Sequence, residues 1–237
     1  LLARSGKLTV STVCTLQTQF NYSSYSHQET FMAHILHVDA SPRAERSISR
    51  ALSNEFIAAW HTAHPEDVLT YRDLGHHPVP HVTETWVAAA FSPPETHTPE
   101  LTEAIQTSDV LVDELFAADR YVFGVPMYNL SVPSTFKAYI DQIVRIGRTF
   151  AVEPTGYKGL IEGKKALIIT AQGGTFRLGS ETGGYNFHEP YLRAILGFIG
   201  VTDVSFIYAD GLNLGDETRE KSLESAHAAI QTAIATW

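Results

Sequence analysis

Three short stretches carry residue types suited to holding an anion and a flat heterocycle. The first is "SPRAERSIS", residues 41–49, where Ser41, Ser47 and Ser49 stand with Arg43 and Arg46 directly before an apolar-periodic run. Hydroxyls and backbone N–H groups at a helix N-terminus, backed by the positive end of the helix dipole, suit a phosphate. A serine-capped helix emerging from a polar loop has the same spelling, so this stretch alone leaves both readings open. The second is "PMYNL", residues 126–130, which follows an apolar run with a sulfur, an aromatic and an amide. It either ends a strand and turns the chain, or walls a site for something planar. The third is "AQGG", residues 171–174, whose glycines let a backbone come close to a ligand or merely turn it.

The surrounding periodicity places these stretches. "HILHVD" (34–39) reads as an apolar strand, and the run after it has Ile48, Leu52, Phe56, Ile57 and Trp60 at helical spacing with Ser47 as N-cap. "DVLTYRDL" (67–74) is a second strand, followed by a Pro/His-rich irregular segment over 76–98 with a short helix near Trp86–Phe91. Thr98, Pro99 and Glu100 open the next helix in the order N-cap, first position, first turn. "RYVFGVP" is a third strand, leading to a helix over 134–146, and 147–163 has no strong period. "KKALIITAQGG" (164–174) is a fourth strand with its glycine stop, 189–200 a helix closed by Gly200, "TDVSFIYADG" a fifth strand, and 216–236 a last amphipathic helix.

Strands alternating with helices predict an α/β fold: a doubly wound five-stranded parallel sheet, order 2-1-3-4-5, with helices on both faces. Ligands in such sheets bind beyond the carboxyl ends of the strands, at the switch point between strands one and three. All three stretches lie at such ends. Together they suit FMN, which has a dianionic phosphate at one end and a three-ring plane at the other.

Composition narrows the alternatives. The chain has 237 residues, 44% hydrophobic, with 17 Lys and Arg against 26 Asp and Glu, a formal charge of −9. No basic block stands out, which argues against a nucleic-acid partner. No apolar run is long enough for a membrane-spanning helix. The single cysteine, Cys14, removes intrachain disulfides and thiolate metal sites and fits a reducing, cytoplasmic setting. Residues 1–31 are Ser-, Thr-, Gln- and Tyr-rich without periodicity, and are expected to form a poorly ordered N-terminal extension to one domain over 32–237. His76, His77 and His81 read as surface histidines among prolines, so no metal is expected. "GLIEGKK" (159–165) is one residue short of a phosphate-binding P-loop and lacks the following Ser or Thr. Neither a G-x-G-x-x-G fingerprint nor a G-x-S-x-G elbow is present.

With "SPRAERSISR", "PMYNLSVPSTFKAYID", "GLIEGKKALIITAQGG" and "EPYLRAILGFIGVTDV" in that order, the chain resembles the FMN-dependent NADH:quinone oxidoreductases, or azoreductases, of the flavodoxin-like superfamily. The resemblance implies that Ser41, Ser47, Ile48 and Ser49 hold the FMN phosphate. It implies that Met127, Tyr128, Asn129 and Leu130 line the ring, and that Ala171, Gln172, Gly173 and Gly174 close its other edge. Family members commonly carry Ser-Arg-Gly-Gly at the last position, so Ala171 and Gln172 depart from the pattern. Phe150 matches a family aromatic near the substrate face. The activity implied is two-electron reduction of quinones and aromatic azo compounds by NADH, ping-pong at one site, in a homodimer. No side chain is assigned as catalytic, since the hydride passes through the flavin. The fold also serves flavodoxin-type electron carriers, and older usage names such proteins phosphodiesterases; both remain as alternatives.

Overall fold

The computed structural model describes residues 32–237. The expected N-terminal extension lies outside them. A five-stranded sheet forms the centre, in the order β2-β1-β3-β6-β7. Its strands are β1 (His34–Asp39), β2 (Val68–Asp73), β3 (Arg120–Gly124), β6 (Lys165–Ala171) and β7 (Asp203–Ala209). Every pairing is parallel. With β6 and β7 counted as the fourth and fifth core strands, this is the doubly wound order expected.

The three central strands are apolar because both of their faces are covered. Along β1, β3 and β6 successive side chains enter opposite cores, as the two-residue strand period requires. Leu36, Val38, Tyr121, Phe123 and Ile168 pack on one side with residues of α3 (Pro99–Ala117), α4 (Ser134–Ile143) and α5 (Glu189–Ile199). Ile35, Val122, Leu167 and Ile169 pack on the other with α1 (Ile48–Ala63) and α6 (Asp216–Thr236). Each such Leu, Ile or Phe contributes roughly 1.5–3 kcal/mol by leaving water. The edge strand β2 is largely exposed, and its Tyr71 hydroxyl reaches the buried Asp39 at the end of β1.

Local signals acted where they were spelled. The Ser47 hydroxyl accepts the Arg50 N–H at the start of α1, and Thr98 accepts the Leu101 N–H at the start of α3. A short α2 (Glu84–Ala90) occupies the Pro/His-rich stretch, and Gly200 closes α5 at φ 109°. Two boundaries differ from expectation. α4 stops at Ile143, not at 146. Residues 147–163 are not plain loop: β4 (Phe150–Glu153) and β5 (Gly156–Gly159) form an antiparallel hairpin. Its strands are four residues each and mostly solvent-facing, so no hydrophobic alternation announces them.

Candidate functional site

The carboxyl ends of β1, β3 and β6 open onto a cavity of about 260 Å³. From the first loop it is lined by Ser41, Ser47, Ile48 and Ser49; from the second by Met127 and Tyr128; from the third by Ala171, Gln172 and Gly173. The Tyr128 hydroxyl reaches the Ser41 hydroxyl at 3.4 Å, joining two loops that lie 87 residues apart.

The first loop is a hydroxyl-lined helix start. Ser41, Ser47 and Ser49 are all buried, and the Ser47 and Ser49 hydroxyls are 3.3 Å apart at the N-terminus of α1. Arg43 and Arg46 also line the cavity. Behind the loop stands a charged network. Asp39, fully buried at the end of β1, accepts from Ser53 at 2.7 Å and from Tyr71 at 3.1 Å, with Arg50 at 3.5 Å. Arg50 donates to both Asp73 oxygens and, at 2.7 Å, to the Ser41 carbonyl. Burial alone would raise the Asp73 carboxyl, but hydrogen bonds from Arg50 and His76 and the Arg50 charge bring it down to about 2. Burial, reinforced by Asp39, pushes the Tyr71 hydroxyl well up, so it stays a donor. Two glycines make room for this network: a Cβ on Gly124 would overlap Asp39 Oδ1, and one on Gly75 would overlap the Ser41 carbonyl.

The second loop is a tight turn. Tyr128 and Ser131 exchange both backbone hydrogen bonds, at 2.8 and 3.1 Å. The two residues between them, Asn129 and Leu130, have φ of 48° and 71°. Asn tolerates that left-handed conformation; a leucine in it is strained. Asn129 is exposed, and neither Asn129 nor Leu130 lines the cavity. Gly174 also stays off the lining, and its carbonyl accepts the Gly211 N–H.

In the third loop Gln172 is buried, and neither of its amide atoms has a partner among the described residues. Such a group costs free energy unless something satisfies it. Gly173 lies so close to Asn213 that a Cβ would come within 2.6 Å of its amide nitrogen.

The expected residues omitted a fourth loop. Leu212, Asn213 and Arg219 complete the lining from beyond β7. Backbone pairing of Leu212 with Gln172 and of Asn213 with Gly173 places the loop, and Arg219 follows in the first turn of α6. The only signal in the sequence was that β7, too, ends at the carboxyl edge of the sheet.

Phe150 lies elsewhere. On the hairpin it packs against Phe198 at 4.7 Å and lines a second, apolar cavity of about 260 Å³ with Val82, Trp86, Phe91 and Val144. His76 is a partner of Asp73 at 2.7 Å. Among the described residues, no three His, Cys, Asp or Glu side chains are placed to hold a metal ion. Nor is any helix among them long and apolar enough to cross a membrane.

A family model described as a flavodoxin-like fold matches residues 33–234. The FMN-dependent NADH:quinone oxidoreductase of Nostoc punctiforme is 68% identical over 206 residues, covering 87% of this chain and all of that protein. The protein so named from Acidobacterium capsulatum is 45% identical over 81% of this chain and 95% of its own length. Among solved structures, the azoreductase AzrA superposes with a TM-score of 0.81 at 28% identity, covering 86% of this chain and 100% of its own. An azoreductase from Bacillus anthracis superposes with a TM-score of 0.76 at 29% identity, over 86% and 98%.

Proposed function

The chain belongs to the FMN-dependent NADH:quinone oxidoreductase family, and from that premise we propose that it reduces quinones and aromatic azo compounds with NADH, in alternating half-reactions at the cavity beyond β1, β3 and β6. It is an FMN-dependent oxidoreductase. The chemistry that bound FMN supplies is two-electron transfer between NADH and the acceptor.

The residues present fit that group. At one end, the buried hydroxyls of Ser41, Ser47 and Ser49 and the first N–H groups of α1 offer donors to a dianion, with the positive end of the helix dipole behind them. Arg43, Arg46 and Arg219 add positive charge around the same space. Toward the other end Met127 and Tyr128 form an aromatic and apolar wall for the ring, and Asn129 and Leu130 make the turn that follows it. Ala171, Gln172 and Gly173 border its far side, and the Gln172 amide, without a partner among the described residues, has both a donor and an acceptor to give.

The observation that carries this reading is the meeting of the three loops on one cavity, joined by the Tyr128–Ser41 contact. The decisive experiment mixes NADH with the purified yellow holoprotein under anaerobic conditions. Bleaching within seconds, and recovery of colour on adding a quinone, is the expected outcome. A protein that stays yellow is an electron carrier needing its own reductase; one that is colourless and takes up no FMN is not a flavoenzyme.

The reading extends to a homodimer in a cytoplasmic setting. Val82 and Phe91, 36% and 72% exposed, line the apolar cavity that holds Phe150, and a second copy would cover them. Light scattering of the purified protein tests this, with a monomer at micromolar concentration as the contrary result.

A further inference from the structure

Two consecutive residues ahead of α5 hold both ends of the second loop from outside the cavity. The Phe187 N–H donates to the Leu130 carbonyl at 3.0 Å. The His188 ring meets the Val125 carbonyl at 3.1 Å through Nε2. Because a carbonyl only accepts, Nε2 carries the proton and Nδ1 presents its lone pair. His188 is completely buried, and Nδ1 has no partner among the described residues.

The loop needs such support. Its N–H side is tied to β6 by Val125 to Ile169 and Met127 to Ala171, both at 3.0 Å, while Pro126 has no N–H to give. Its Val125 and Leu130 carbonyls are held instead from the 187–188 segment, and the turn has two central residues with positive φ. A backbone conformation of that kind persists only when its surroundings over-determine it. The 187–188 segment is itself anchored. The Asn186 side chain accepts the N–H groups of His188 and Glu189 at 3.1 and 3.0 Å, and donates to the Phe176 carbonyl at 2.8 Å.

We propose that Phe187 and His188 are positioning residues that hold the loop carrying the Met127–Tyr128 wall in place, so that the affinity of the site for the flavin ring, as distinct from its phosphate, is set from the start of α5. This rests on the reading of the cavity as the FMN site. Burial holds the His188 ring down to about 4, so the clamp is a neutral imidazole at ordinary pH. It therefore steadies the wall without placing a charge behind the ring.

The test measures binding of FMN and of riboflavin, which lacks the phosphate, by flavin fluorescence. His188→Ala should weaken both by the same factor, about tenfold for one lost buried hydrogen bond, and His188→Gln, whose amide can still donate, should recover most of it. Ser49→Ala should weaken FMN and leave riboflavin unchanged. Wild-type affinity in His188→Ala, loss confined to FMN, or a His188→Gln variant no better than the alanine overturns the proposal. A measurement on the unmodified chain guards against a variant that does not fold: FMN should slow hydrogen exchange of the Phe187 amide about tenfold or more. An unchanged rate also overturns it. A wild-type protein that binds neither flavin sinks the assignment of the cavity itself, a distinct result.

Discussion

The two ends of the cavity are supported by opposite means. The hydroxyl end rests on charge: a buried Asp39, a bidentate Arg50–Asp73 pair and a guanidinium on the Ser41 carbonyl. The wall end rests on neutral groups: backbone bonds to β6, a Phe187 N–H and an uncharged His188. The difference teaches how one fold serves a ligand with unlike halves. Around a dianion, the loop can sit on a rigid salt-bridged base, since Asp39 and Asp73 are matched by Arg50 and shielded from the ligand by the loop itself. Beside a ring whose charge changes during turnover, fixed charge would bias one redox state, and neutral hydrogen bonds avoid that bias.

The largest expected effect comes from taking away the charged base. Arg50→Leu leaves Asp39 and Asp73 without their cation and frees the Ser41 carbonyl, and should cost about 3 kcal/mol or more in denaturant unfolding. FMN affinity should fall further than riboflavin affinity; equal losses would show that the two ends are not separately supported. Gly124→Ala comes next. Its new methyl overlaps Asp39 Oδ1 and crowds Ser53, so about 2 kcal/mol of stability should go, read in the same unfolding experiment.

At the wall the effects are smaller. Asn129→Ala places an alanine at φ 48° and should cost about 1 kcal/mol, whereas Asn129→Gly should be near neutral. If the alanine variant also keeps wild-type FMN retention and turnover, the assignment of this turn to the ring is misplaced.

The finest distinction is in acid. The His188 pKa lies at about 4, below its ordinary 6.5, so the unfolded chain takes up this proton first. Stability from the neutral ring is therefore complete above pH 6.5 and is lost as pH falls toward 4. Asp73 is lowered from 3.8 to about 2, so its contribution is complete above pH 3.8 and is lost as pH falls toward 2. Unfolding free energies measured across pH should show both ramps, and His188→Gln should erase only the upper one.

Legibility in the sequence followed the range of the physics. Helix caps at Ser47 and Thr98, the apolar runs of β1, β3 and β6 and the glycine stop at Gly200 are local signals, and the structure has them where they are spelled. The β4–β5 hairpin escaped because short, exposed strands carry no burial pattern. Asn213 and Arg219 escaped because nothing within a few residues of either one marks a ligand; Asn213 reaches the cavity through backbone pairing with Gly173, and Arg219 from the first turn of α6. Phe150 was legible as an aromatic but not as the wall of a separate cavity.

What residues 32–237 determine by themselves is the alternation of strand and helix, and with it a parallel sheet whose strand ends carry serines, an aromatic turn and paired glycines. Periodicity, capping and turn chemistry act over a handful of residues, so they can be read from neighbours. Only the tertiary structure decides that Arg50 grips the Ser41 carbonyl, that Tyr128 meets Ser41, and that His188 clamps Val125 across 63 residues of chain. Those bonds depend on which strand ends the packed sheet brings together, and no local pattern encodes that meeting.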